Sequence, residues 1–290
     1  MPAAGRRVKI AFIGLGVMGA PMAGHLAAAG YDLTVFNRSA GKTERWLTKH
    51  GGRAAGSLTE AVREADLVFT CVTDDEATRA VASEAVRAMR DGAVLVDHTS
   101  AAPSTARELA AMADGHGIGF LDAPVTGGEP GALAGRLGIM VGGDPAALAA
   151  AEPAMHSYAR EIRHMGPVGA GLLSKLVNVI IAAGFGEAVA EGIGFARRAG
   201  LNLPGLVEVL SQGSSRSWVL EHKGPAMISG DYRQGSFSVE QILQVIGTAR
   251  GEATHYGLDL PLLDLLEARY RVLRDQGGGT WDSASLIHLV

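Results

Sequence analysis

Val8-Lys9-Ile10-Ala11-Phe12-Ile13-Gly14-Leu15-Gly16-Val17-Met18-Gly19 is the stretch on which the fold turns. The compact apolar run VKIAFI reads as a buried strand. It leads without a linker into a G-x-G-x-x-G that opens a segment of helical character over 17–29. That context separates a phosphate-binding turn from an ordinary glycine-rich loop. The first glycine permits the tight turn and the second lets backbone N–H groups approach a pyrophosphate. The third lets the helix pack close to the strand. The phosphates are expected at the positive end of that helix. Gly14, Leu15, Gly16, Val17, Met18 and Gly19 are therefore candidate cofactor-binding residues.

Outward from this turn, short apolar runs at 32–36, 66–72, 93–96, 119–121 (leading into Asp122) and 139–141 read as further strands. Helical segments at 57–65, 76–89 and 104–116 fill the gaps between them. Strands alternating with helices mean βαβ units and a parallel sheet. Past residue 166 the pattern changes to helices at 171–199, 204–212, 239–256 and 261–276, with Pro204 and Pro261 near helix starts, where a missing N–H costs little. No strand is expected there. The expected fold is an α/β Rossmann-type, doubly wound parallel sheet in a dinucleotide-binding domain over 1–165. An all-α C-terminal domain over 166–290, for substrate and dimerisation, follows. The first five residues are expected to fray.

Composition narrows the classes. A chain of 290 residues corresponds to about two domains. The net charge is −4, and the densest basic cluster is Arg6, Arg7 and Lys9. A nucleic-acid partner needs a basic face and is not expected. The single cysteine, Cys71, excludes an intrachain disulfide and a cysteine metal cluster; the cytoplasm is the expected compartment. The basic N-terminus precedes an apolar run broken by Gly14, Gly16, Gly19 and Pro21, which fits a signal peptide poorly. The longest later apolar stretch, 176–186, covers 11 residues, short of the ~20 a bilayer span needs. No membrane partner is expected. The nine histidines lack metal-ligand spacing, so no metal site is expected.

The end of the second strand bears on the choice of cofactor. An acid there usually holds a ribose 2′-hydroxyl. This chain has Asn37-Arg38-Ser39 instead, and Arg38 can meet a 2′-phosphate with a planar fork of donors. NADP is the expected cofactor, with NAD possible. Lys175 stands in a stretch, 168–186, otherwise free of charge. A buried lysine has a lowered pKa, which suits general acid/base work near neutral pH. Asn178, at i+3, shares its helix face. Thr126-Gly127-Gly128 follows a strand end, and consecutive glycines can present backbone N–H groups to a carboxylate. Cys71 reads as a small packed residue, since no partner base is identifiable. Glu187 and Glu191, four apart, read as a solvated or interhelical face.

These motifs together resemble the β-hydroxyacid dehydrogenase family. It includes 3-hydroxyisobutyrate dehydrogenases, tartronate semialdehyde reductases and glyoxylate/succinic semialdehyde reductases. The resemblance spans nearly the whole chain. It is carried by GLGVMGAPMAGHL (14–26), DAPVTGGEPGALAGRLGIMVGG (122–143), GAGLLSKLVNVI (169–180) and GGGTWDSASLI (277–287). It implies Lys175 as proton donor and acceptor, and Asn178 as a substrate contact with Thr126, Gly127 and Gly128. Asp97-His98-Thr99-Ser100 resembles the family's Asp-x-Ser-Thr loop, which places Thr99 beside the nicotinamide. Cys71-Val72-Thr73 stands where the family has a Met-Leu-Pro-like tripeptide along the cofactor, which implicates Val72 and Thr73. Two departures stand out. Thr126 replaces the usual serine and adds a methyl that is expected to intrude on the pocket. Gln244 and Val245 replace a usual Lys-Asp pair, so Gln244 keeps hydrogen bonding and loses the charge. Arg216, Trp218 and Lys223 precede this stretch as other sources of contact.

The resemblance implies NAD(P)-dependent interconversion of a small 3-hydroxyacid and its semialdehyde or keto acid. The substrate carboxylate is expected on residues 126–128, the carbinol carbon against nicotinamide C4, and the Lys175 amine on the hydroxyl proton, at the seam of the two halves. An imine reductase of the same fold is the enzymatic alternative; such relatives usually replace the lysine. A non-catalytic cofactor-binding module is the other, permitted by Gln244 and Val245. Residues 172–195 are too apolar for a helix exposed on one side. They are expected to be buried between the halves and between subunits of a homodimer or homotetramer.

Overall fold

The computed structural model describes residues 7–290 except Gln234 and Ser236; the fraying expected of the first five residues lies outside them. The chain runs through β1 (Lys9–Ile13), α1 (Gly19–Ala28), β2 (Asp32–Phe36), α2 (Ala40–His50), β3 (Arg53–Ala54), α3 (Leu58–Val62), β4 (Leu67–Thr70), α4 (Asp75–Ala88), β5 (Val94–Asp97), α5 (Pro103–Asp114) and β6 (Gly119–Asp122). It continues with β7 (Val125–Thr126), α6 (Gly128–Leu133), β8 (Leu137–Gly143), α7 (Pro145–Met155) and β9 (Ala159–Gly166). The helices α8 (Ala170–Arg198), α9 (Leu203–Leu210), α10 (Trp218–Ser229), α11 (Val239–His255) and α12 (Pro261–Leu273) follow, and a π-helical turn (Arg274–Gly278) and a 3-10 helix (Ser283–Leu289) end the chain. Two compact units divide at Lys175/Leu176, inside α8.

In the first unit the sheet order is β3-β2-β1-β4-β5-β6, all parallel. The crossover between β1 and β4 is the switch point at which such sheets bind ligands beyond the strand ends. The sheet then changes sense. β6 and β7 both lie antiparallel to β8, and β9 pairs parallel with β8. Both faces are covered. Ile10 and Phe12 of β1 enter one core with Phe69 and Val96, and Ala11 and Ile13 enter the other with Val68 and Leu95. Alternation of side chains along a strand produces that split.

The sequence expectations missed β3, β7, β9, α2, α6, α7 and α10. β9 buries only Ala159 and Ile162 and exposes most of its polar residues, so it has no apolar run to read. α2 buries only Trp46, and α10 carries Pro225 inside it, a residue that sequence rules treat as a helix breaker.

The second unit is helical; among its described residues the sheet-like pairing is a single bridge, Ser238 to Asp282. Among its ion pairs, two reach buried carboxylates. Lys223 Nζ meets Asp282 Oδ2 at 2.6 Å, and Arg269 meets Glu187, which is 4% exposed. Glu187 thus faces a neighbouring helix while Glu191 is exposed. α8 is 29 residues long with a mean hydropathy of 1.6 over its most apolar window. By length and composition it meets the measure for crossing a bilayer, which the 176–186 stretch does not. The helix simply runs past Lys175, Glu187 and Glu191 and ends at Arg197 and Arg198.

Candidate active site

The three turn glycines do different work. Gly14 has φ +99°, and a Cβ there would run into the Cys71 carbonyl oxygen. A Cβ on Gly19 would strike the Gly14 carbonyl and sit 3.1 Å from the Phe12 ring. Both glycines are required by the protein's own packing. A Cβ on Gly16 would meet nothing within 4 Å. It faces open space, beside the start of a helix whose N-cap, Met18, supplies no side-chain cap. A helix start without a side-chain cap and a missing Cβ in front of it fit a pyrophosphate. Val17 is exposed at the same turn.

Asn37 ties this turn to the end of β2. Its Oδ1 accepts from Leu15 N at 2.9 Å, and its Nδ2 donates to Ser39 O at 3.1 Å. Arg38 and Ser39 are exposed. Ser39 is the N-cap of α2 yet makes no side-chain cap, so a second helix start without a side-chain cap follows Arg38 directly in the chain. Both features fit a 2′-phosphate.

The loops after β4 and β5 are laced together by one carboxylate. Asp97 Oδ1 accepts from Thr70 Oγ1 at 2.7 Å, from Thr99 Oγ1 at 2.7 Å and from Thr99 N at 3.1 Å. The Thr99 hydroxyl in turn accepts from Val72 N at 3.1 Å. Burial drives the Asp97 carboxyl up to about 6, against the pull of its hydroxyl donors. Thr73 is exposed and donates to Asp74. Burial pushes the Cys71 thiol up to about 12, which leaves it packed and unreactive.

His98 was not read from the sequence. It is buried, with its ring stacked on Phe69. Nδ1 lies 2.6 Å from Ala123 O, so Nδ1 carries the proton and Nε2 accepts from Tyr158 Oη at 2.9 Å. Burial lowers it to about 4.

Lys175 closes the set. Its Nζ donates to Val125 O at 2.8 Å, and burial lowers its pKa to about 8. The start of its helix packs hard on the sheet. A Cβ on Gly171 would lie 2.6 Å from Asp122 O, and one on Gly142 would lie 2.8 Å from Gly171 N. Asp122, at the end of β6, accepts from Gly169 N at 2.8 Å and Leu172 N at 2.9 Å. Gly127 and Gly128 follow β7 with φ +119° and +61°. The extra methyl of Thr126 lies over its register partner Gly138, whose missing Cβ makes room for it.

Gly14–Gly19, Asn37–Ser39, Val72, Thr73, Thr99, Thr126–Gly128 and Lys175 thus follow the C-terminal ends of β1, β2, β4, β5 and β7 or begin α8, all in the first unit. Asn178 and Gln244 belong to the second. Asn178 stands on α8, half-buried; Gln244 is exposed on α11. Lys223 is committed to Asp282, Arg216 Nε pairs with Glu221 at 2.8 Å, and Trp218 stacks on His222. Among the described residues no group of three or more His, Cys, Asp or Glu is placed to hold a metal.

Residues 9–166 match the family model for the NAD-binding domain of 6-phosphogluconate dehydrogenase. Residues 169–290 match the model for the NAD-binding region of NADP-dependent 3-hydroxyisobutyrate dehydrogenase. The chain belongs to the β-hydroxyacid dehydrogenase family. As a β-hydroxyacid dehydrogenase it is a nicotinamide-dependent oxidoreductase acting on CH–OH groups. It is 43% identical over 282 residues to an uncharacterized oxidoreductase of Shewanella frigidimarina, covering 96% of this chain and 97% of the other. It is 35% identical to an NAD-dependent L-serine dehydrogenase of Pseudomonas aeruginosa, covering 93% of each. The structure of Mycobacterium tuberculosis 3-hydroxyisobutyrate dehydrogenase with L-serine superposes with a TM-score of 0.86 at 31% identity, covering 98% of this chain and 99% of that one.

Proposed function

We propose that this β-hydroxyacid dehydrogenase interconverts a small 3-hydroxyacid and its semialdehyde or keto acid, with NADP preferred over NAD and Lys175 as general acid and base. The observation that carries the reading is the state of the Lys175 amine. Burial brings it to about 8, and its hydrogen-bond partner is a neutral carbonyl, Val125 O at 2.8 Å. A carbonyl orients an amine without fixing its charge, so the group can take and return a proton near neutral pH.

A bound nicotinamide supplies the hydride chemistry. The chain's residues do the rest. Backbone N–H groups of Thr126, Gly127 and Gly128 receive the substrate carboxylate, where two glycines leave no Cβ in the way. Neutral Lys175 takes the hydroxyl proton in oxidation, and its ammonium form returns it in reduction. Asn178, one turn on, orients the reacting oxygen. Gly14, Leu15, Gly16, Val17, Met18 and Gly19 hold the pyrophosphate, and Asn37, Arg38 and Ser39 hold the ribose with its 2′-phosphate. Val72, Thr73 and Thr99 lie along the cofactor, with Gln244 as an uncharged contact. Val177, Ile181 and Phe185 form an exposed apolar stripe on α8 at four-residue spacing. A second copy of the chain covers it in a homodimer or homotetramer, in the cytoplasm.

Replacing Lys175 by Ala is expected to lower kcat by about 10²–10⁴-fold and leave NADPH affinity near that of the parent. Unchanged turnover would sink the assignment. A panel of 3-hydroxyacids and semialdehydes, beginning with 3-hydroxyisobutyrate and L-serine and run with both cofactors, identifies the substrate.

A further inference from the structure

We propose that Asp122 is a positioning residue for Lys175: its carboxylate fixes the first turn of α8 so that the lysine amine reaches the Val125 carbonyl. The catalytic part of this rests on the proposed function above; the structural part does not.

Gly169, at the entry to α8, has φ +92° and no side chain with which to cap the helix. A cap normally satisfies the N–H groups of the first turn from within the local chain. Here it arrives from β6, 47 residues earlier. Asp122 Oδ1 takes the Gly169 N–H at 2.8 Å, and Oδ2 takes the Leu172 N–H at 2.9 Å. Asp122 is 1% exposed, so its two bonds fix the helix start in rotation and in depth. The missing Cβ atoms of Gly142 and Gly171 bring the helix this close.

Three residues beyond Asp122 stands Val125, whose carbonyl receives Lys175 Nζ; three residues beyond Leu172 stands Lys175 itself. Residues 122–125 therefore grip the helix twice, by a carboxylate at its first turn and by a carbonyl at the amine. The segment is itself held at its centre. Ala123 N donates to Asp97 O at 2.7 Å, and Ala123 O accepts from the buried His98. A shift of the helix start moves the amine off its partner and toward water.

The test is Asp122→Asn, which retains one acceptor and loses the other. The readout is the pH dependence of acetic anhydride labelling at Lys175, followed by mass spectrometry in the protein without cofactor. In the parent the midpoint should lie near the value of about 8 that burial imposes. In Asp122→Asn it should rise by about one pH unit or more as the amine regains water. kcat should fall about 10–100-fold with KM within about threefold, since misplacement by an ångström has this size of effect. Gly171→Ala retains the carboxylate and pushes the helix off it; the midpoint should rise there too. An unmoved midpoint in the folded variants overturns the proposal. Failure of both to fold also overturns it, because the carboxylate would then serve folding. If Lys175→Ala retained turnover while the midpoint still moved in Asp122→Asn, the proposed function would fall and the positioning would stand.

Discussion

Asp97 and Asp122 are register partners on neighbouring strands, each the last residue of its own, and their carboxylates serve different neighbours. Asp97 binds the loops after β4 and β5 into one unit through Thr70 and Thr99. Asp122 caps the helix that carries Lys175. Two buried acids side by side repel, which adds to the rise of the Asp97 carboxyl. They persist because each is supplied with donors.

The pH dependence of turnover should follow Lys175. Its pKa is lowered to about 8, and oxidation needs the neutral amine. kcat for oxidation should climb about tenfold per pH unit below 8 and level off above it, and kcat for reduction should be level below 8 and fall above it. A profile flat from pH 6 to 10 in both directions would remove the lysine from proton transfer.

The turn glycines should separate folding from binding. Gly16→Ala places a methyl in open space. Thermal stability should stay within about 0.5 kcal/mol, while NADPH affinity, measured by fluorescence titration, falls tenfold or more. Gly14→Ala meets a positive φ and the Cys71 carbonyl, and should lose about 1–3 kcal/mol of stability. Equal effects of the two on stability would contradict this division.

Arg38→Gln tests the cofactor preference. A charge-assisted bond to phosphate is worth about 1.5–3 kcal/mol. KM for NADPH should therefore rise roughly 10–100-fold with KM for NADH little changed. Hydrogen bonds from Ala77 N and Thr73 hold the Asp74 carboxyl low, and the Arg38 charge adds a little to them, so Asp74 is a neighbouring charge of Arg38. Parallel changes for both cofactors would refute the role of Arg38.

Asp97→Asn should alter acid stability in a predictable sense. The folded Asp97 carboxyl is raised from 3.8 to about 6. The native state then binds a proton that the unfolded chain does not, and the group's contribution is fully present below pH 3.8 and lost as pH rises through 6. His98 acts oppositely. It is lowered from 6.5 to about 4, so its contribution is lost as pH falls through that window. In the parent the two partly cancel. Asp97→Asn keeps the Oδ1 acceptor and removes the carboxyl, so on acidification from pH 6 to 4 it should lose roughly 2 kcal/mol more than the parent. Denaturant midpoints at a series of pH values measure this, and parallel curves would disprove it.

The glycine turn, the alternation of strand and helix, and the lysine in an uncharged stretch were legible because each is a local rule. A strand's apolar run, a turn's missing Cβ and a helix's lack of charge are written within a dozen residues. The elements that escaped, β9 and α2 above all, bury one or two residues each and leave no apolar period to detect. The partners of the working groups were beyond local rules. Val125 stands 50 residues from Lys175, Asp122 stands 47 from Gly169, and Tyr158 stands 60 from His98. Strand order brings these groups together, and strand order is settled by which faces bury one another. The sequence marks Lys175 as the amine proposed to move a proton; the packing of the sheet against the first turn of α8 supplies its burial and its carbonyl partner.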